Sequence, residues 1–201
     1  MAATATPYGF RAVNLIGGLP FAGSTRQISI ASGYGTNIFN GSIVSIVAAG
    51  TIEIVTTNGD NSTGFPAGTI GIFVGCRYTD PSTSQLTFNQ RWPTGTVASD
   101  AMAYIVDDPN AVFQAQADGA VTQTDLGNNT YLAAVQSTST GSTINGNSTS
   151  ALTSTTAVTS GMAFRIVDFV DGPDSAIGDA FTDLLVKFNP DSHSYLNKTG
   201  I

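Results

Sequence analysis

"ASDAMAYIVDDPNAVFQAQADG" (98–119) sets two apolar runs on either side of an Asp pair, a Pro and an Asn. Read as chemistry, Asp107 and Asp108 are the most site-like residues of the chain. Read as structure, Asp-Pro-Asn is turn chemistry: Pro fixes φ, and Asp and Asn side chains bond their own backbone two residues on. "IVDDPNAVF" is then strand, turn, strand, with the apolar run on each side that a hairpin needs. General acid–base work would require a second polarised group nearby and a carboxyl pKa raised by burial. The sequence places no such partner beside the pair, so the turn reading is adopted. In the following run, Ala111, Phe113, Ala115 and Ala117 fall on one face of a strand, with Val112, Gln114 and Gln116 on the other.

The same rhythm extends outward. Short runs rich in Val, Ile, Thr and Phe alternate with Gly, Asn, Asp and Pro, which is the pattern of an all-β domain. Strands are expected over 25–31, 41–48, 51–57, 69–79, 85–92, 102–107, 111–117, 131–136, 163–170 and 184–189, with "AAG" (48–50) closing a hairpin. Helical periodicity is scarce. The best stretch, "DSAIGDAFTDLL" (174–185), is interrupted by Gly178 and reads mainly as a loop into the last strand. The fold class expected is an antiparallel β-barrel or sandwich with extended polar arms and little helix.

Residues 136–161, "QSTSTGSTINGNSTSALTSTTAVTSG", are almost wholly Ser, Thr, Asn, Gly and Ala. Such a stretch is a flexible excursion in isolation, or an insertion that gains order against a partner. The organisation expected is an N-terminal arm (1–24), a main β domain (25–135), the Ser/Thr-rich insertion or arm (136–161), the last strands of the domain (162–190) and a polar tail (191–201).

Composition excludes several functions. Charged residues are 10% of the 201 residues against a usual quarter, while 41% are hydrophobic, so the chain can build a core. The deficit is filled by Gly, Ser, Thr, Asn and Ala. With two Lys and the single Glu53, the surface loses little side-chain entropy when covered, which suits a protein packed against neighbours. A net charge of −7 with Arg11, Arg26, Arg77, Arg91 and Arg165 scattered argues against nucleic acid, whose affinity comes from clustered basic groups. Cys76, the one cysteine, precludes an internal disulfide and is expected to be a small buried hydrophobe. No signal-peptide pattern or membrane-length apolar run is seen, and synthesis in a cytoplasm is expected; the five Asn-x-Ser/Thr matches then follow from composition alone.

Other candidate chemistry is weak. Asp168, Asp171, Asp174, Asp179 and Asp183 could offer oxygen ligands to calcium, but the alternate-residue ligand run and terminal Glu of an EF-hand are missing. His193 stands beside Ser192 and Asp191; adjacent residues cannot converge as a triad, so an exposed or interface histidine is expected. "LIGGLPFAG" (15–23) and "IGIFVG" (70–75) lack the Gly-Lys-Ser/Thr of a phosphate loop. No catalytic, cofactor or metal residue is assigned.

Several blocks resemble virion structural proteins of tailed bacteriophages: "ATPYGFRAVNLIGG" (3–18), "IASGYGTNIFNGSIVSIVAAGTIE" (30–53), "VGCRYTDPSTSQLTFNQRWPTGT" (74–96), "SDAMAYIVDDPNAVFQAQADG" (99–119) and "FVDGPDSAIGDAFTDLLVKFN" (169–189). The resemblance covers most of the chain except 136–161 and is one of texture and block order. It implies a capsid decoration, or cement, protein on the virion surface that needs no cofactor. The expected partners are the major capsid protein and further copies of itself, a trimer being favoured, with no nucleic acid and no membrane. A receptor- or glycan-binding module of a fibre or spike, another structural part of the particle, and a glycan hydrolase using two Asp remain the alternatives.

Overall fold

The computed structural model describes residues 4–201; residues 1–3 of the expected N-terminal arm lie outside them. All the paired strands are antiparallel, and the two larger sheets face one another as a sandwich. The first sheet has the order β1-β10-β13-β12-β11, from Arg11–Leu15, Ala111–Gln116, Asp183–Phe188, Phe164–Phe169 and Asn129–Thr130. The second has the order β2-β9-β6-β4-β5, from Arg26–Ser29, Met102–Val106, Thr69–Thr79, Ile43–Ile46 and Ile52–Ile54, and β7 (Leu86–Asn89) adds to β6. A third pairing joins β3 (Ile38–Phe39) to β8 (Arg91–Trp92). Among the described residues, helix is limited to two three-residue 3-10 turns, at Gln123–Asp125 and Pro190–Ser192.

The expected all-β architecture is present, and the strand expected over 69–79 is β6, Thr69–Thr79. Several local expectations need correction. The stretch 131–136 forms no strand: Asn129–Thr130 is the paired segment, and Leu132 makes only an isolated bridge to Leu152. Within the expected N-terminal arm, Arg11–Leu15 is an edge strand of the first sheet. Most instructive is the stretch around the Asp pair. Strand, turn and strand lie where the sequence puts them, but β9 and β10 do not pair with each other. β9 pairs with β2 and β6, while β10 pairs with β1 and β13. The Asp-Pro-Asn turn is a corner carrying the chain from one sheet to the other. Turn chemistry sets the change of direction; it does not choose the strand's neighbours.

The sandwich core follows from alternation. Ala111, Phe113, Ala115 and Ala117 share one face as expected, and it is the inward one, meeting Ile43, Ile72 and Val106 of the opposite sheet. At its centre Phe164 stacks on Phe10 (centroids 5.0 Å), meets Phe65 edge-on (5.6 Å) and lies 4.7 Å from Phe188. The second sheet is buried on its other face too, where Ile38, Phe73, Cys76, Ala103, Ile105 and Trp92 form a separate cluster. Continuous apolar runs such as "IGIFVGC" express this two-sided burial.

Residues 136–161 are tied down by the rest of the chain. The Gln136 side chain acts as an extra strand residue: its Oε1 accepts from Ile43 N (2.9 Å), and its Nε2 donates to Ile43 O (3.0 Å) and Val55 O (3.1 Å). Leu152 N donates to Gln116 O, Asp118 N donates to Leu152 O, and Ser148 N donates to Asn40 O. Ser148, Ser150 and Leu152 are buried. Order therefore comes from within the chain, through short polar side chains that can bond backbone at close range.

Candidate functional site

The residues singled out in sequence do not converge. Asp108 Oδ1 accepts from Asn110 N at 2.8 Å, and Ala111 N donates to Asp108 O at 3.0 Å, closing the corner. Asp107 turns instead to Arg26 Nε (2.9 Å) and to the Tyr195 hydroxyl, which donates to it at 2.7 Å. Each carboxylate thus commits one oxygen to a structural contact, and the two point to different partners. In the downstream acidic group, Asp171 and Asp174 are exposed, Asp168 caps Phe169 N and Asp179 accepts from Ala176 N. Asp183 stands apart, half-buried on β13, where Gln114 Nε2 donates to it at 3.3 Å and the Tyr8 hydroxyl lies nearby; burial raises its pKa, with these two polar neighbours opposing the rise. Among the described residues, no group of three or more His, Cys, Asp or Glu could hold a metal ion.

His193 corrects the expectation of an exposed histidine. It is 1% exposed, because the tail folds back across the sandwich. Its ring meets Phe188 (5.6 Å) and Tyr195 (5.3 Å) edge-on. Nδ1 accepts from Tyr195 N at 3.3 Å, while Nε2 lies beside the Ile70 backbone without completing a bond. Burial pushes its pKa down to about 4, against the pull of Asp107. The Cys76 thiol, buried against the Trp92 cluster, is pushed up to about 12 by desolvation, which leaves no thiolate at neutral pH.

Concavities are shallow. The one beside β1 is lined by Asn14, Leu15, Val112, Val167 and Leu185 and gathers no set of titratable groups. A different surface carries the candidate function. On β9, Val106 packs toward the first sheet, so Tyr104 and Met102, two and four residues earlier, point to the same side. Register extends this face across the strands. Met102 lies opposite Arg77, and Arg77 opposite Phe88; Tyr104 lies opposite Gly75 on one side and Gln27 on the other. Here the second sheet overhangs the first. The face that forms core near Val106 is open to solvent around Phe88 and Leu86, which are 67% and 54% exposed. A trough of about 260 Å³ runs over Gly75 between Phe88 and Tyr104, and a Cβ at Gly75 would stand 3.1 Å from Asn89 O.

Sequence reasoning missed this surface because β7 is inverted relative to its polarity. Leu86 and Phe88 point outward, while Thr87 and Asn89 lie opposite Tyr78 and Cys76 on the buried side. Alternation in "QLTFNQ" shows two faces without showing which is covered. Comparisons with family models, curated proteins and solved structures find no match for the chain.

Proposed function

We propose that the chain is a structural virion protein of a tailed bacteriophage, binding the outside of the capsid as a decoration protein that bridges major capsid subunits. The observation that carries this reading is the apolar overhang on a two-sheet scaffold, where exposed Leu86 and Phe88 adjoin half-buried Met102 and Tyr104. A monomeric surface seldom leaves such side chains grouped and open unless a partner covers them. The phage assignment itself rests on the block resemblance. Stabilisation of a shell needs affinity repeated over many copies and no turnover.

The overhang suits that role in its composition. Phe and Tyr anchors with one Arg resemble the residues that dominate protein interfaces, and Lys is missing from the face. The test is addition of purified protein to preformed, undecorated capsids. Co-sedimentation with the shells and a higher disruption temperature are expected. Shells that bind none of it, or that withstand heat equally well without it, would overturn the proposal. A second reading, a glycan-binding module, has the Phe88–Tyr104 trough in its favour; binding to host cells or isolated glycans that Phe88→Ala abolishes, without capsid binding, would replace the first.

A further inference from the structure

The β6–β7 hairpin closes with Asp80 N donating to Gln85 O at 2.9 Å. Antiparallel pairing alternates hydrogen-bonded and non-hydrogen-bonded residue pairs. Counting from that bond, Tyr78/Thr87 and Cys76/Asn89 are the bonded pairs of the register, and Thr79/Leu86 and Arg77/Phe88 the non-bonded ones. The backbone N–H and C=O of Leu86 and Phe88 therefore point away from β6. No strand among the described residues pairs with that side of β7. Both side chains at these positions are exposed and apolar, and "LTFN" carries no charge. Folded proteins ordinarily blunt such an edge with Lys, Pro or a covering loop, because it templates pairing with another chain. This one is unprotected.

We infer that β7 is a self-pairing edge: two copies of this chain join β7 to β7 antiparallel about a two-fold axis at Thr87. Leu86 of one copy then lies opposite Phe88 of the other, and the reverse, giving four backbone hydrogen bonds. The two Leu–Phe pairs share one sheet face as a single apolar cluster. Three observations select a second copy as the occupant and β7 as its place. The strand is self-complementary about Thr87, so one geometry satisfies both edges at once. Charge selects the place of contact: each chain carries −7, which opposes association elsewhere, and β7 is an uncharged strand at which two such molecules meet with the least repulsion. Pairing also consumes the edge, so the assembly closes as a dimer and does not propagate. A four-residue edge falls well short of the roughly 800 Å² per partner of a standard interface. The dimer is accordingly weak, forming at high local concentration, and its two overhanging faces merge into one continuous surface. The inference does not depend on the capsid reading, since the isolated chain suffices to test it and either can fail alone.

Sedimentation equilibrium of the purified full chain from about 10 µM to about 1 mM tests it, that range being where a contact of this size associates. Mass rising from monomer toward dimer is expected, with Leu86 and Phe88 amide exchange slowing as concentration rises. Phe88→Lys should weaken association about tenfold or more by placing like charges across the edge, with an unchanged melting temperature because the side chain is exposed. Leu86→Pro is the second variant: it removes an outward N–H that makes no bond to β6, and should weaken association similarly. A chain that stays monomeric throughout would overturn the inference. So would a dimer or trimer that both variants leave intact and in which those two amides exchange freely.

Discussion

Replacing His193 by Gln tests whether the buried imidazole makes the fold acid-sensitive. In the folded chain the ring is 1% exposed and its pKa is about 4, against an ordinary 6.5. Between those values the unfolded chain holds a proton that the folded chain does not. Stability then falls as pH falls, with a limiting slope of about 1.4 kcal/mol per pH unit. Integrated over that window, about 3 kcal/mol present at neutral pH is lost by pH 4, and the loss levels off below it. Desolvation, seconded by the repulsion of Lys187, outweighs Asp107, the Ile70 backbone and Asp108, which draw the proton on. The raised carboxyl of Asp183 acts in the opposite sense, above its ordinary 3.8, so the comparison of two proteins isolates the histidine. Urea unfolding at pH 7.5 and pH 4.5 should show wild type losing about 2.5 kcal/mol more than His193→Gln, though the variant starts less stable for want of the ring contacts. Parallel losses in the two proteins would refute the reasoning.

Two further changes probe how the fold is held. Gln136→Ala removes the side chain that serves Ile43 N, Ile43 O and Val55 O, and should cost about 3 kcal/mol by leaving buried backbone groups unpaired; chemical denaturation measures it, and a change under about 0.5 kcal/mol would mean that the 136–161 segment is not fastened there. Gly71→Ala should abolish folding, because φ is +149° and a Cβ would collide with Val106 O; circular dichroism of the expressed variant checks it.

Alternation and turn chemistry are local properties, and what they govern was legible. β6 matches the expected span, and the grouping of Ala111, Phe113, Ala115 and Ala117 on one face of β10 is the one expected. Strand partnership is not local: nothing in "IVDDPNAVF" says that its halves enter different sheets. β1 escaped notice because an edge strand of Arg, Ala, Val, Asn and Leu is only partly buried and so shows little polarity contrast. His193 sits among polar neighbours, and its burial arises only when the tail crosses Phe188. The overhang was illegible for the same kind of reason: whether Phe88 is covered depends on how far the opposite sheet extends.

The position of β13 constrains how this molecule can be made. It lies between β10 and β12, and both must wait for it. While a ribosome is still adding the residues that separate β10 from β13, β10 has only β1 beside it, and Phe113 lacks the Phe188 ring that it meets edge-on. Synthesis at about 5–20 residues per second leaves that incomplete half-sandwich exposed for several seconds. Crowded nascent chains would be most prone to stick to one another during that interval, before the inserted strand seals the sheet.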